Sequence, residues 1–338
     1  MAMFAYFSFL TISIVSIIGN FKNKYLCALL VFLGVLFWSF MARLLPINDD
    51  FEYYIYMMEE KEFISILIPN ATEPILYIFQ WLLNQQLNSA YLTFVITDIV
   101  LLLILFNSLP GLGNLITGKL KNHKMKRFYL PIFFILLVSW PFYLGFHLTY
   151  RQFAATIIFL FALSRIQKTP LKAILIFSLS VLIHNSIFLF APIIGFLLRN
   201  QFLSFISILF SLGIPSLLII ISSTRASRDV GIVLASLYPI SISIICFLAI
   251  ILAIGQKKNI GRNLQVFLFF IPYVSMAAWL FLGNGQAERF GLLCLSILLP
   301  IFMIFVSDKF KNKYIIYACI LAFVLFPMVT FYQGMLLL

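Results

Sequence analysis

The ionisable side chains of this chain are few enough to be weighed one at a time: of 338 residues, 63% are hydrophobic and only 10% charged. Three polar residues stand out in the stretch Pro141–Pro192, PFYLGFHLTYRQFAATIIFLFALSRIQKTPLKAILIFSLSVLIHNSIFLFAP. Two apolar runs there flank a basic turn, Arg165 to Lys172, and Tyr150, Arg151 and His184 fall at their far ends. Polar groups at membrane depth are costly unless they line a cavity or serve a function. Histidine titrates near neutrality, so His184 suits a general base that takes a proton from an attacking hydroxyl. Glu73, Asp50 and Glu288 compete for that role, and a satisfied polar residue between helices is the plain alternative for His184. A second chemistry belongs to Arg43, Arg151, Arg225, Arg228 and Arg289, because a planar guanidinium fork matches phosphate and diphosphate oxygens. Snorkelling to an interface competes with that reading for Arg151 and Arg289, each near the start of an apolar run.

Metal chemistry finds little footing. Three histidines, one inside a lysine-rich segment, do not make a ligand set, and Cys27, Cys246, Cys294 and Cys319 are scattered through apolar runs as small buried hydrophobes. Asp49 and Asp50 would grip a divalent cation or cap a helix equally well, and no metal or other cofactor is expected. No P-loop, nucleophile elbow, dinucleotide fingerprint or paired-histidine zinc motif is present.

The elements that must position these residues are apolar helices. A soluble domain carries about 25% charged residues, so this composition lacks a coat for water. Repeated apolar runs argue for an all-α polytopic integral membrane protein. Helices are expected at 4–19, 25–42, 90–109, 128–145, 149–164, 172–183, 187–198, 202–221, 233–254, 264–283, 290–307 and 314–333. The count is about 12 spans in a single membrane domain over residues 1–338. The first run has no basic leader or cleavage site and is taken as a membrane helix.

Orientation follows from charge. The connections Lys22–Lys24, Lys119–Arg127, Arg165–Lys172, Arg199, Lys257–Arg262 and Lys309–Lys313 hold 17 of the 23 Lys and Arg residues. They alternate correctly if all are cytoplasmic, which places both termini outside. The formal charge of +12 then reports loops facing anionic lipid, not a nucleic-acid partner. Nine of the eleven acids and the remaining six basic residues fall on the outer side.

Two segments need a special reading. Glu73–Asn88, EPILYIFQWLLNQQLN, would reverse Lys119–Arg127 if it crossed, so it is expected as one re-entrant or interfacial helix begun by Pro74. Leu171–Leu198 is read as two short helices broken at His184-Asn185-Ser186. Each is roughly 18 Å long by helical rise, too short for a hydrocarbon core of about 30 Å, which sinks His184 into a protein-lined cavity. The outer loop at about 43–72 carries Phe51, Tyr54, Ile55 and Met58 at helical spacing, suiting a short amphipathic helix on the outer interface. Asp98, alone in TFVITDIVLLLILF, is read first as a helix–helix hydrogen-bond partner and second as a proton-pathway group.

With these residues set out, the chain resembles the EpsG-type, Wzy-like bacterial polysaccharide polymerases. The resemblance runs through Arg43 and Asp50-Phe51…Tyr54 after the second helix, then Glu73-Pro74-Ile75-Leu76-Tyr77. It continues with Arg151 in TYRQFAA, His184-Asn185-Ser186, and Arg289-Phe290 at a late helix start. It covers most of the chain in order, and departs from the family where Asn48 and Asp49 replace the glycine usual before the Asp. What the resemblance implies is a multi-helix glycosyltransferase that uses lipid-linked sugars at the outer face of a bacterial cytoplasmic membrane. Its substrates would be oligosaccharide repeat units on undecaprenyl diphosphate. Its partners would be membrane lipid and, of the same pathway, a flippase and a chain-length regulator. His184, Glu73 and Asp50 would be the catalytic candidates and Arg151, Arg289 and Arg43 the diphosphate ligands. Tyr54, Tyr150, Asn185 and Glu288 would meet the acceptor sugar. A transporter or flippase of lipid-linked oligosaccharide is the first rival, and a polysaccharide acyltransferase the second. The absence of an internal repeat and the outer-side asymmetry favour the enzyme over the transporter.

Overall fold

The computed structural model describes residues 2–19, 21, 23–44, 49–60, 62–67, 70–118, 126–198, 200–224, 232–255 and 261–309. All regular structure among them is helical: α1 Ala2–Ile18, α2 Lys24–Leu44, α3 Asp49–Glu59, α4 Phe63–Leu67, α5 Ile75–Leu87, α6 Ala90–Thr117, α7 Lys126–Val138, α8 Trp140–Leu148, α9 Tyr150–Arg165 and α10 Pro170–Ile183. A 3-10 turn over Asn185–Phe190 leads into α11 Ala191–Leu197, followed by α12 Gln201–Thr224, α13 Ile232–Gly255, α14 Arg262–Phe281 and α15 Asn284–Lys309. Five of the described helices are long and apolar enough to cross a membrane: α6, α12, α13, α14 and α15. The chain is an all-α, polytopic protein of membrane type. The expected helix 314–333, and Lys61, His123, Arg199, Arg225 and Arg228, lie outside the described residues.

Several expected boundaries move, each for a local reason. The run 128–145 is two helices, α7 and α8, because Pro141 has no N–H to give the Leu137 carbonyl. That carbonyl instead accepts from Trp38 Nε1 at 3.2 Å, tying α2 to the break. By contrast α6 continues through Pro110 to Thr117 and ends on Gly118 in a left-handed conformation (φ 67°). α15 begins at Asn284, so Glu288 and Arg289 lie within its opening turns and not before it.

α6 and α9 run side by side in the same direction. At one end Asp98 of α6 meets Tyr150 of α9; at the other, Gly111 packs so closely on Ser164 that a Cβ would strike its carbonyl. These two contacts lie roughly 20 Å apart by helical rise. The start of α14 joins the second end, where Asn263 Nδ2 donates to the Leu115 carbonyl at 2.7 Å. The basic turn Arg165–Lys172 and Arg262 therefore share one end of the bundle, and Tyr150 and Arg151 stand at the other.

The core between them is aromatic. Phe159 lies 5.8 Å from Phe177 of α10 and 6.0 Å from Phe190 in the 3-10 turn. Phe177 precedes His184 and Phe190 follows it, so one ring meeting both means that the chain reverses at His184. Its backbone there is extended (φ −154°, ψ 118°), which ends α10 and confirms the expected break.

Candidate functional site

Glu73 is the residue on which the site is built. A turn closed by Glu73 N–H donating to the Asn70 carbonyl at 2.9 Å brings the chain to Pro74, which occupies the N-cap position of α5. α5 is fixed from both sides: Trp81 Nε1 donates to the Glu60 carbonyl (2.8 Å), and Asn84 Nδ2 donates to the Met58 carbonyl (2.9 Å). Thr93 Oγ1 of α6 donates to Asn84 Oδ1 at 3.3 Å. The Glu73 carboxylate, only 4% exposed, is thereby held against the reversal between α10 and the 3-10 turn.

Both carboxylate oxygens are engaged. Oε1 lies 2.6 Å from His184 Nδ1 and accepts the Asn185 backbone N–H at 3.0 Å, while Oε2 accepts from Arg151 Nη1 at 2.8 Å. Burial pushes the Glu73 carboxyl up, but His184, the Asn185 amide and Arg151 together outweigh it and hold it down at about 2. The side chains of His184 and Arg151 remain 14% and 34% exposed, so the carboxylate is closed off while its two partners reach an open side. His184 Nε2 makes no hydrogen bond among the described residues. In the neutral tautomer that donates Nδ1–H to the Glu73 carboxylate, Nε2 presents a lone pair, the arrangement a general base requires.

Arg289 approaches the same end. Its carbonyl accepts from Gln152 Nε2 at 3.0 Å, which places the opening of α15 against the first turn of α9 beside Arg151. The Arg289 side chain is exposed and makes no hydrogen bond among the described residues. Glu288, half-buried next to it, accepts from Tyr238 Oη of α13 at 3.4 Å. Arg151 also lies over the Tyr77 ring, 5.2 Å from its centre.

Arg43 is corrected. It was expected to face a diphosphate, but its side chain is 4% exposed and its fork is spent on Asp98, Nε to Oδ2 at 2.6 Å and Nη2 to Oδ1 at 2.7 Å. Tyr150 Oη donates to the same Asp98 Oδ1 at 2.9 Å, and the guanidinium sits between the rings of Phe94 (4.9 Å) and Tyr150 (4.8 Å). Asp98 is thus the helix–helix partner, joining α2, α6 and α9. A carboxylate alone in an apolar helix calls for a cation, and Arg43 at the end of α2 was the signal that sequence reasoning did not connect to it.

The aromatic candidates are also placed by this cluster. Tyr54, 5% exposed, stacks on Tyr77 at 5.3 Å and meets Phe94 and Tyr150 edge-on at 6.1 and 5.8 Å. Tyr54 and Tyr150 are walls beneath Arg151 and not open contacts for a sugar. α3, expected to lie on an interface, buries Tyr54, Met57 and Met58 and packs on α5. The Asn185 side chain is exposed next to His184. Asp50 lies in the first turn of α3, and its side chain, like that of His147, lies outside the described residues.

Fold and site together define a polytopic helical membrane protein with a histidine–carboxylate–arginine cluster at one end of its bundle. Comparison with known protein families, characterised proteins and solved structures gives no match.

Proposed function

We propose that the chain is a membrane glycosyltransferase that joins oligosaccharide units carried on undecaprenyl diphosphate, as its resemblance to the EpsG-type polymerases implies. In this reading the chain has about 12 membrane helices, α5 being interfacial or re-entrant. The Glu73 end faces outward from a bacterial cytoplasmic membrane. The gathering of basic connections at the opposite end supports that orientation through the positive-inside rule.

One observation carries the chemistry: Glu73 holds both the Nδ1 of His184 and the Nη1 of Arg151 while leaving His184 Nε2 open. In the reaction a hydroxyl of the acceptor sugar attacks the anomeric carbon of the donor. The new C–O bond forms as the bond to the diphosphate oxygen breaks, and the lipid diphosphate leaves with the electron pair. His184 Nε2 takes the hydroxyl proton. Glu73 stabilises the imidazolium that results, and Arg151 and Arg289 take up the charge on the leaving diphosphate. Glu73, first weighed as a base, acts here as the group that orients the base.

The test is polymer formation by purified protein in proteoliposomes supplied with the lipid-linked repeat unit. H184Q keeps a donor for Glu73 but has no base, so polymer should fall about 10²- to 10⁴-fold at normal membrane abundance, with single units remaining on the carrier. Near wild-type polymer from H184Q would overturn the base assignment. Transbilayer movement of the unit by wild-type protein without any joining would replace the enzyme with a flippase.

A further inference from the structure

At the end of the bundle remote from Glu73, a cavity of about 540 Å³ opens between α11, α12 and α14. α14 lines it with Arg262, Val266, Phe269 and Tyr273, spaced four, three and four residues apart and so sharing one helix face. Ser211 and Leu212 of α12 form the facing wall, with Phe196 of α11 behind them. Tyr273 Oη donates to the Ser211 carbonyl at 2.6 Å and closes the groove at its deep end. From that closure to Arg262 is roughly 16 Å along α14. The walls are apolar and outward-facing, Phe269 being 68% and Leu212 71% exposed.

We propose that this groove binds an anionic phospholipid of the bilayer, with an acyl chain between α12 and α14 and the phosphate on Arg262. The charge arrangement selects the occupant. Among the described residues no carboxylate lines the groove and the arginine at the open end is its one charged group, while Lys257 and Lys258 precede that arginine in sequence. An apolar slot ending in a basic group on the side of the other basic connections matches a chain carrying an anionic head. An isoprenoid diphosphate substrate fits less well, since its head would lie at the wrong end of the bundle from Arg151 and Arg289. The inference stands whether or not the proposed reaction is correct.

The experiment measures melting of the full-length protein in detergent as phosphatidylglycerol or phosphatidylethanolamine is added. Phosphatidylglycerol should stabilise the wild type more than phosphatidylethanolamine does. R262Q should weaken the phosphatidylglycerol response about fivefold in concentration, the effect of one basic group at a lipid headgroup, and R262K should retain most of it. L212W, a change on an outward-facing position that fills the slot, should remove the response while leaving the lipid-free melting temperature close to wild type. Equal stabilisation by the two lipids, or an unchanged response in R262Q, overturns the proposal. Stabilisation by undecaprenyl phosphate but not by phosphatidylglycerol also overturns it, assigning the groove to an isoprenoid carrier.

Discussion

Glu73→Gln tests the site most directly, because it preserves shape while removing the charge that three donors share. The carboxamide oxygen can still accept from Asn185 N–H and from His184, but as a neutral acceptor it holds the imidazole about half as strongly. On the other side its NH₂ would face the Arg151 guanidinium, donor against donor, where 2.8 Å separated donor and acceptor before. Arg151 is one-third exposed, so water offsets much of that loss, leaving about 0.5–1 kcal/mol. The weakened His184 contact, half of a hydrogen bond to a charged group worth about 1.5–3 kcal/mol, adds about 1–1.5. E73Q should therefore destabilise the protein by about 1.5–2.5 kcal/mol. Loss of the His184 share as positioning slows polymer formation roughly 5- to 13-fold. Melting in detergent and polymer yield from the lipid-linked unit measure the two effects. The double variant E73Q/H184Q decides the reasoning: once the base is gone, losing its orienting partner should cost little further rate, a coupling of about 1–1.5 kcal/mol. Strict additivity of the two rate losses, or an E73Q protein unchanged in both assays, would refute the idea that Glu73 acts through His184.

Three further outcomes follow from other contacts. R289K should melt within about 0.5 kcal/mol of wild type, since the side chain is exposed, yet lose roughly a hundredfold in polymer formation; normal polymer would reduce Arg289 to an interfacial anchor. D98N should cost about 3–5 kcal/mol by leaving Arg43 buried beside an uncharged group, and the apolar pair R43M/D98L should recover much of it; a D98N protein as heat-stable as wild type would contradict the buried ion pair. Because the Glu73 carboxyl is held below its ordinary 4.5, at about 2, its contribution to stability is complete above about pH 4.5 and is lost as pH falls toward 2. The gap in melting temperature between wild type and E73Q should shrink across that window, and a gap that stays constant would show that this carboxylate is not the group responsible.

The sequence made the hairpin of α9 and α10 legible because a short basic turn between two apolar runs allows little else. Arg151 and His184 at one end, and the break at His184, followed from that and from charge alternation. The grip of Glu73 on both was not legible: the partners are 78 and 111 residues away, and no local pattern encodes such a pairing. Glu73 stood out as a competing base and through the resemblance, not as the partner of both His184 and Arg151. The Arg43–Asp98 pair was hidden for the same reason, and the exposed look of an arginine at a helix end concealed its burial. Division of 128–145 at Ser139 was readable in principle from Pro141, but Pro110, Pro131 and Pro300 sit inside α6, α7 and α15 without ending them, so proline alone does not locate a break.

The reversal at His184 also bears on how the protein is made. α10 measures roughly 21 Å and α11 roughly 10 Å by rise, so neither is long enough to leave a translocation channel as an independent span. Residues 170–197 have to enter the bilayer together, sheltered by α9, which was synthesised just before them. Glu73 emerges from the ribosome long before His184 does, so its carboxylate has no imidazole partner until the segment that also covers it has been made. Capture of His184 then fastens the re-entering segment to a part of the chain already inserted. On this account Glu73 serves to anchor the later segment as well as to order the site, and its loss should appear during biosynthesis as a segment 170–197 open to membrane proteases.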